Sequence, residues 1–133
     1  MSQEKGAVRF VKSDTLPPSP GYSQAVEIRK GGRFIYVAGQ VAMDRNGKLV
    51  GEGDFKAQAK QTFENLKAAL QASGASFDNV VKTTILLSDM GQFADVNTVY
   101  GKYFTGDFPA RETYAVKALP KNVNVEISMI ASL

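Results

Sequence analysis

The chain contains no cysteine, no histidine and no tryptophan. Without cysteine there is no disulfide, no thiolate zinc site and no thiol nucleophile. Without histidine the commonest general base and metal ligand is missing. If the chain is an enzyme, Arg, Glu, Tyr, Ser, Thr, Asn and backbone groups must carry its chemistry. No apolar run approaches the ~18 residues of a membrane span. The segment Met1-Ser2-Gln3-Glu4-Lys5-Gly6 lacks the apolar stretch of a secretory leader. A cytoplasmic location without a membrane partner is therefore expected. A basic stripe is also missing. The 16 Lys and Arg residues against 13 Asp and Glu give a net charge of +3, and they are scattered. A nucleic-acid face needs clustered basic residues with interleaved aromatics, so no nucleic-acid partner is expected.

What is present fits one α+β domain over residues 1–133. Val8 to Ser13 reads as a first strand. The run Leu16-Pro17-Pro18-Ser19-Pro20-Gly21 cannot be regular structure, because its prolines lack backbone donors. Ala25 to Arg29 and Phe34 to Gln40 read as strands joined by a Lys30-Gly31-Gly32-Arg33 hairpin turn. Asp44-Arg45-Asn46-Gly47 is a second turn. Asp54 is a good helix cap, and Phe55, Ala59, Phe63, Leu66 and Leu70 then recur at helical spacing up to Gly74. Val80 to Leu87 reads as a strand, Met90 to Phe104 as a second helix, and Arg111 to Ala118 and Val123 to Ala131 as closing strands. Two helices can cover one sheet face only. Yet Phe34-Ile35-Tyr36-Val37-Ala38 is apolar on both sides. Another copy of the chain is the economical cover, so a homo-oligomer is expected.

In the last strand Val123, Val125, Ile127 and Met129 alternate with Asn124, Glu126 and Ser128, which puts Glu126 away from the apolar row. Arg111 opens the preceding strand after Pro109. Its planar fork of donors matches a substrate carboxylate. If these consecutive strands pair antiparallel, Arg111 and Glu126 lie close together. Tyr22 follows the rigid Pro/Gly turn and offers a polar handle. Asn97 borders the apolar stripe of the second helix as a half-buried hydrogen-bonder. Gly39 and Gln40 end a strand where backbone can approach a ligand. No phosphate-binding loop or dinucleotide fingerprint is present.

The order and spacing of several short pieces resemble the RidA family, also called YjgF or reactive-intermediate deaminases. The pieces are Pro20-Gly21-Tyr22-Ser23-Gln24-Ala25, Val37-Ala38-Gly39-Gln40-Val41, Gln61-Thr62-Phe63-Glu64-Asn65-Leu66, Val80-Val81-Lys82-Thr83-Thr84, Val96-Asn97-Thr98-Val99-Tyr100, Phe108-Pro109-Ala110-Arg111 and Val125-Glu126-Ile127. The resemblance implies a chorismate-mutase-like fold, a mixed sheet backed by two helices, assembled as a homotrimer with sites between subunits. It implies hydrolysis of enamines and 2-imino acids, such as 2-aminoacrylate, to 2-keto acids and ammonia, with no metal or cofactor. By position, Arg111 takes the carboxylate-binding role and Glu126 the water-activating role. Tyr22, Gly39 and Asn97 become pocket residues. Two departures stand out: Ala38 replaces a serine of the best-known members, and Glu112-Thr113-Tyr114 replaces smaller residues. A non-catalytic ligand-binding trimer and an RNA-cleaving protein are the competing readings. The lack of histidine counts against the second.

Overall fold

The computed structural model describes residues 3–5, 7–30 and 32–133. Met1, Ser2 and Gly6 of the N-terminal segment, and Gly31 of the expected hairpin turn, lie outside the described residues.

The helix α1 spans Phe55–Ala72. Asp54 caps it, its side chain accepting from the Ala57 N–H at 3.2 Å. Ala59, Phe63, Leu66 and Leu70 form one fully buried stripe. Gly74 follows the end of the helix at φ +81°, a left-handed conformation that glycine adopts without a Cβ clash. The second helix, α2, is shorter than expected. It spans Phe93–Tyr100 after a separate tight turn at Met90–Gln92. Beyond it the Lys102 and Tyr103 N–H groups reach back to Val99 and Tyr100, a spacing too tight for an α-helix. Val96, Tyr100 and Phe104 are nevertheless buried on one side, as their spacing predicts.

Among the described residues seven strands form two sheets. Among them β1 (Gln3–Lys5), β2 (Val8–Val11) and β3 (Ala25–Ile28) make a small antiparallel sheet in that order. The main sheet holds β4 (Phe34–Gln40), β5 (Val80–Leu87), β6 (Ala110–Ala115) and β7 (Val125–Ser132), in the order β4-β7-β5-β6. The short strand β1 was not expected from the sequence, and the strand expected to run to Ser13 stops at Val11.

Two expected pairings are corrected. The hairpin between β3 and β4 does not form, and the strands join different sheets. The backbone donors of the connection are taken elsewhere: Arg29 and Lys30 donate to the Ala7 carbonyl, and Gly32 and Arg33 donate to the Leu133 carbonyl. Nor do β6 and β7 pair. The chain β5-α2-β6 is a strand-helix-strand crossover, so β6 lies parallel beside β5, with Arg111 opposite Thr83. The last strand enters between β4 and β5, antiparallel to both. Its residues Val125, Ile127, Met129 and Ala131 are all buried and suit a central strand. Glu112, Tyr114 and Ala115 leave β6 polar or exposed, as suits an edge.

Both helices pack on one face of the main sheet. Val125, Ile127 and Met129 of β7 and Ile85 and Leu87 of β5 meet α1 and α2 there. Phe63 stacks on Tyr103 with ring centroids 4.8 Å apart, and Tyr100 on Phe104 at 4.6 Å. The other face is open within one chain. Tyr36 is 74% exposed on it and Tyr114 51%, so only one side of β4 is covered.

Candidate active site

Arg111 shares the helix-facing side of the sheet with its register partner Thr83. Its Nη1 donates to Asn97 Oδ1 at 2.8 Å. The guanidinium carbon lies 4.9 Å from the ring centre of Tyr100, 5.8 Å from Phe93 and 6.0 Å from Tyr22. Phe93, Asn97 and Tyr100 come together because positions i, i+4 and i+7 share a helix face. Burial pulls the Arg111 pKa below its ordinary value, and Tyr100 and Tyr22 act in the opposite sense. Among the described residues no carboxylate forms an ion pair with Arg111, so neither Asp107 nor Glu112 neutralises it. A half-buried cation held on one side by Asn97, with donors to spare, is a receptor for a planar anion.

Burial also pushes the Tyr100 phenol up to about 12. Its hydroxyl stays protonated at neutral pH and donates to Thr83 Oγ1 at 3.2 Å. Two residues beyond Arg111 in the same row, Thr113 Oγ1 is buried without a hydrogen-bond partner.

Tyr22 reaches this cluster because Ser23 ties its loop to β6. The Ser23 N–H donates to the Pro109 carbonyl at 3.1 Å, and its hydroxyl donates to the Phe108 carbonyl. Phe108 and Pro109 lead directly into Arg111, so one anchor fixes both Tyr22 and the guanidinium. Ser23 is 2% exposed. In the sequence Ser23 stands out only as a member of the Pro20-to-Ala25 piece, and Tyr100 is not singled out as a wall of the site. The Phe93, Asn97, Tyr100 spacing was the available signal.

Glu126 lies elsewhere. It stands opposite Leu86 on the open face of the sheet, half-buried. Its carboxylate rests against Gly39 of β4. A Cβ on Gly39 would overlap Glu126 Oε2 and come within 3.0 Å of its Cδ. The irregular register of β4 between Val37 and Gln40 falls at this point. The structure thus joins Gly39 with Glu126, and Tyr22 and Asn97 with Arg111. It does not join the two groups. Arg111 and Glu126 sit on opposite faces of the sheet with β5 between their strands, so the expected proximity within one chain is corrected. Glu112 points to the open face, where Lys82 Nζ lies 3.0 Å from its carboxylate and holds its pKa below the usual range. Its charge is therefore directed away from Arg111.

Among the described residues no group of three or more acidic side chains is placed to hold a metal ion, and no helix is long and apolar enough to cross a membrane.

A model of the family described as Endoribonuclease L-PSP matches residues 13–133. The chain belongs to this family, the RidA or YjgF group. The chain is 48% identical over 126 residues to Protein DfrA of Myxococcus xanthus, covering 94% of this chain and 95% of that one. It is 45% identical to the 2-iminobutanoate/2-iminopropanoate deaminase of Mus musculus, covering 93% and 91%. Among solved structures, the Rid-family protein YyfB of Yersinia pestis superposes with a TM-score of 0.88 at 34% identity, covering 96% of this chain and 99% of that one. RidA from an Antarctic Psychrobacter superposes at 0.73 with 39% identity, covering 93% and 98%. The RidA-type fold, two helices on a mixed sheet, is shared with these relatives.

Proposed function

We propose that the protein hydrolyses 2-imino acids and their enamine tautomers to 2-keto acids and ammonia. The observation that carries this reading is Arg111: half-buried, bonded to Asn97, ringed by Tyr22, Phe93 and Tyr100, and without a carboxylate of its own among the described residues. The names of the mammalian relatives support the same reaction class.

Arg111 binds the substrate carboxylate through paired N–H donors, and Asn97 holds the guanidinium in place. The aromatic walls exclude bulk water and strengthen that attraction. Glu126 takes a proton from water as the oxygen bonds to C2. The C=N electron pair moves onto nitrogen, which takes up the proton that Glu126 received from water, leaving the carboxylate ready to pass the hydroxyl proton to the departing nitrogen. The resulting carbinolamine then expels ammonia and leaves the keto acid. Imines hydrolyse readily without an enzyme, so a modest barrier reduction suffices.

The two groups lie on opposite faces of one chain, so this chemistry requires Glu126 from a second copy. Arg111 sits on the edge strand β6, where a neighbour's open face can reach it. Exposed Tyr36 and Tyr114 on that face suit a subunit interface. A homotrimer with sites between subunits follows as the proposed assembly, acting in the cytoplasm on a small carboxylate-bearing imine, with no metal, cofactor or nucleic acid.

The test generates imino acids in place with an amino-acid oxidase and traps the residual imine with semicarbazide. Wild type should accelerate imine loss, and Arg111→Ala should not. Equal rates for the two proteins reject the carboxylate clamp. No acceleration by wild type with any imino acid, together with saturable keto-acid binding, would make this a binding protein of the same fold.

A further inference from the structure

The loop that carries Tyr22 closes only weakly through its own backbone: the Leu16 and Tyr22 N–H groups donate to the Ser13 and Ser19 carbonyls at 3.4 Å each. Pro17, Pro18 and Pro20 supply no N–H, so the loop has few backbone donors of its own and gains from one outside it. Lys12, directly after β2, is such a donor. Its ammonium donates to Ser19 Oγ at 2.8 Å, to the Ser19 carbonyl at 3.2 Å and to the Tyr22 carbonyl. Three donors meet three oxygens of one short loop. Gly21, at φ +77°, bends the chain between Ser19 and Tyr22. Gln24 completes the closure from the other end: its Oε1 accepts from the Ser13 N–H at 2.6 Å, and its Nε2 donates to the Pro17 carbonyl at 2.8 Å.

We infer that Lys12 is a positioning residue, an ammonium clip that holds the 13–24 loop shut and so sets Tyr22 over Arg111. The loop has two anchors. Ser23 fixes it to Phe108 and Pro109 on the Arg111 side, and Lys12 fixes its back. Removing the clip leaves Tyr22 held by Ser23, with only the Gln24 bonds and a long Tyr22-to-Ser19 backbone bond behind it. Lys12 bonds to Ser19 and to the Tyr22 backbone, so its effect on substrate runs through Tyr22. Burial lowers its pKa, in keeping with an ammonium partly sheltered by the loop. As a statement about turnover this rests on the deaminase reading; as a statement about the loop it does not.

The absence of cysteine makes a clean chemical test possible, because Lys12→Cys introduces the sole thiol. Its thiolate displaces bromide from 2-bromoethylamine, which adds an aminoethyl arm and restores an ammonium at nearly the reach of lysine. Hydrogen exchange at the Ser13 and Ser23 amides and keto-acid affinity are measured on free protein. KM and kcat follow on imino acids. Lys12→Cys should exchange those amides at least tenfold faster, with keto-acid affinity down and KM up by several-fold and kcat less affected. Aminoethylation should return all of them to within about twofold of wild type. The same thiol capped with neutral N-ethylmaleimide should not recover. Unchanged exchange and affinity in Lys12→Cys overturn the inference, and so does a loss that aminoethylation fails to restore. If Lys12→Cys does not fold, Ser19→Ala removes one acceptor and must raise exchange in the same loop, or the clip is wrong. Wild type without deaminase activity would overturn the proposed function while leaving the exchange result to decide the clip.

Discussion

Replacing Gly39 by Ala should disable the candidate site while leaving the fold nearly untouched. The added methyl would overlap Glu126 Oε2 and sit 3.0 Å from Cδ. The atoms it meets are the far end of a flexible side chain, so the carboxylate yields and the sheet does not. It must retreat by more than ~1 Å to reach ordinary contact. The new rotamer costs on the order of 1 kcal/mol, a fall in Tm of a few degrees for a chain of this size. A displacement of ~1 Å in a reacting group costs about 100-fold in rate, or ~2.7 kcal/mol of transition-state stabilisation. Activity should therefore fall far more than stability. The imine-trapping assay measures kcat/KM, and thermal unfolding measures stability. The decisive comparison is with Glu126→Gln. If Gly39→Ala acts through the carboxylate, adding it to Glu126→Gln should cost little more. Full activity in Gly39→Ala, or independent multiplication of the two losses, would refute the reasoning.

Mixing Arg111→Ala with Glu126→Gln in equal amounts, after dissociation and reassembly, should restore about a quarter of wild-type activity if each site takes Arg111 from one copy and Glu126 from another; sites contained within one chain would stay inactive. Sedimentation of the wild type should give three subunits, and a monomer would remove the proposed assembly. Ser23→Ala breaks the bond to the Phe108 carbonyl and should lower stability by ~1 kcal/mol and raise KM, as read by denaturant unfolding and steady-state kinetics. The Tyr100 phenol titrates near 12 when folded, against about 10 when unfolded. Below pH 10 both forms are neutral; between 10 and 12 only the unfolded chain ionises, so up to about 3 kcal/mol of stability is lost across that window. Tyr100→Phe should flatten this loss relative to wild type in pH-dependent unfolding, and an identical pH profile would reject the burial of the phenol.

Much of the fold was legible in local pattern. The alternation of Val125, Ile127 and Met129 placed Glu126 on the face away from the helices, where it lies. Asp54, Gly74 and the Phe55-to-Leu70 stripe bounded the long helix, because capping and periodicity act within a few residues. The strand partners were less legible. The hairpin expected around Gly31 and Gly32 gave way to bonds with Ala7 and Leu133, which are distant in sequence. The parallel placing of β6 was readable in principle from the helix between β5 and β6. Proximity of the last two strands in sequence outweighed it.

The sequence by itself determined the chemistry available: an Arg, a Glu, a Tyr and an Asn, with neither cysteine nor histidine. It also determined which side of its strand Arg111 and Glu126 each take, since side-chain alternation is a property of the local backbone. Only the tertiary structure decided which of them meet. The insertion of β7 between β4 and β5 put Glu126 beside Gly39 and away from Arg111. That choice rests on burying the wholly apolar helix-facing row of β7 in the centre of the sheet, a free energy summed over contacts remote in sequence and invisible to any local window.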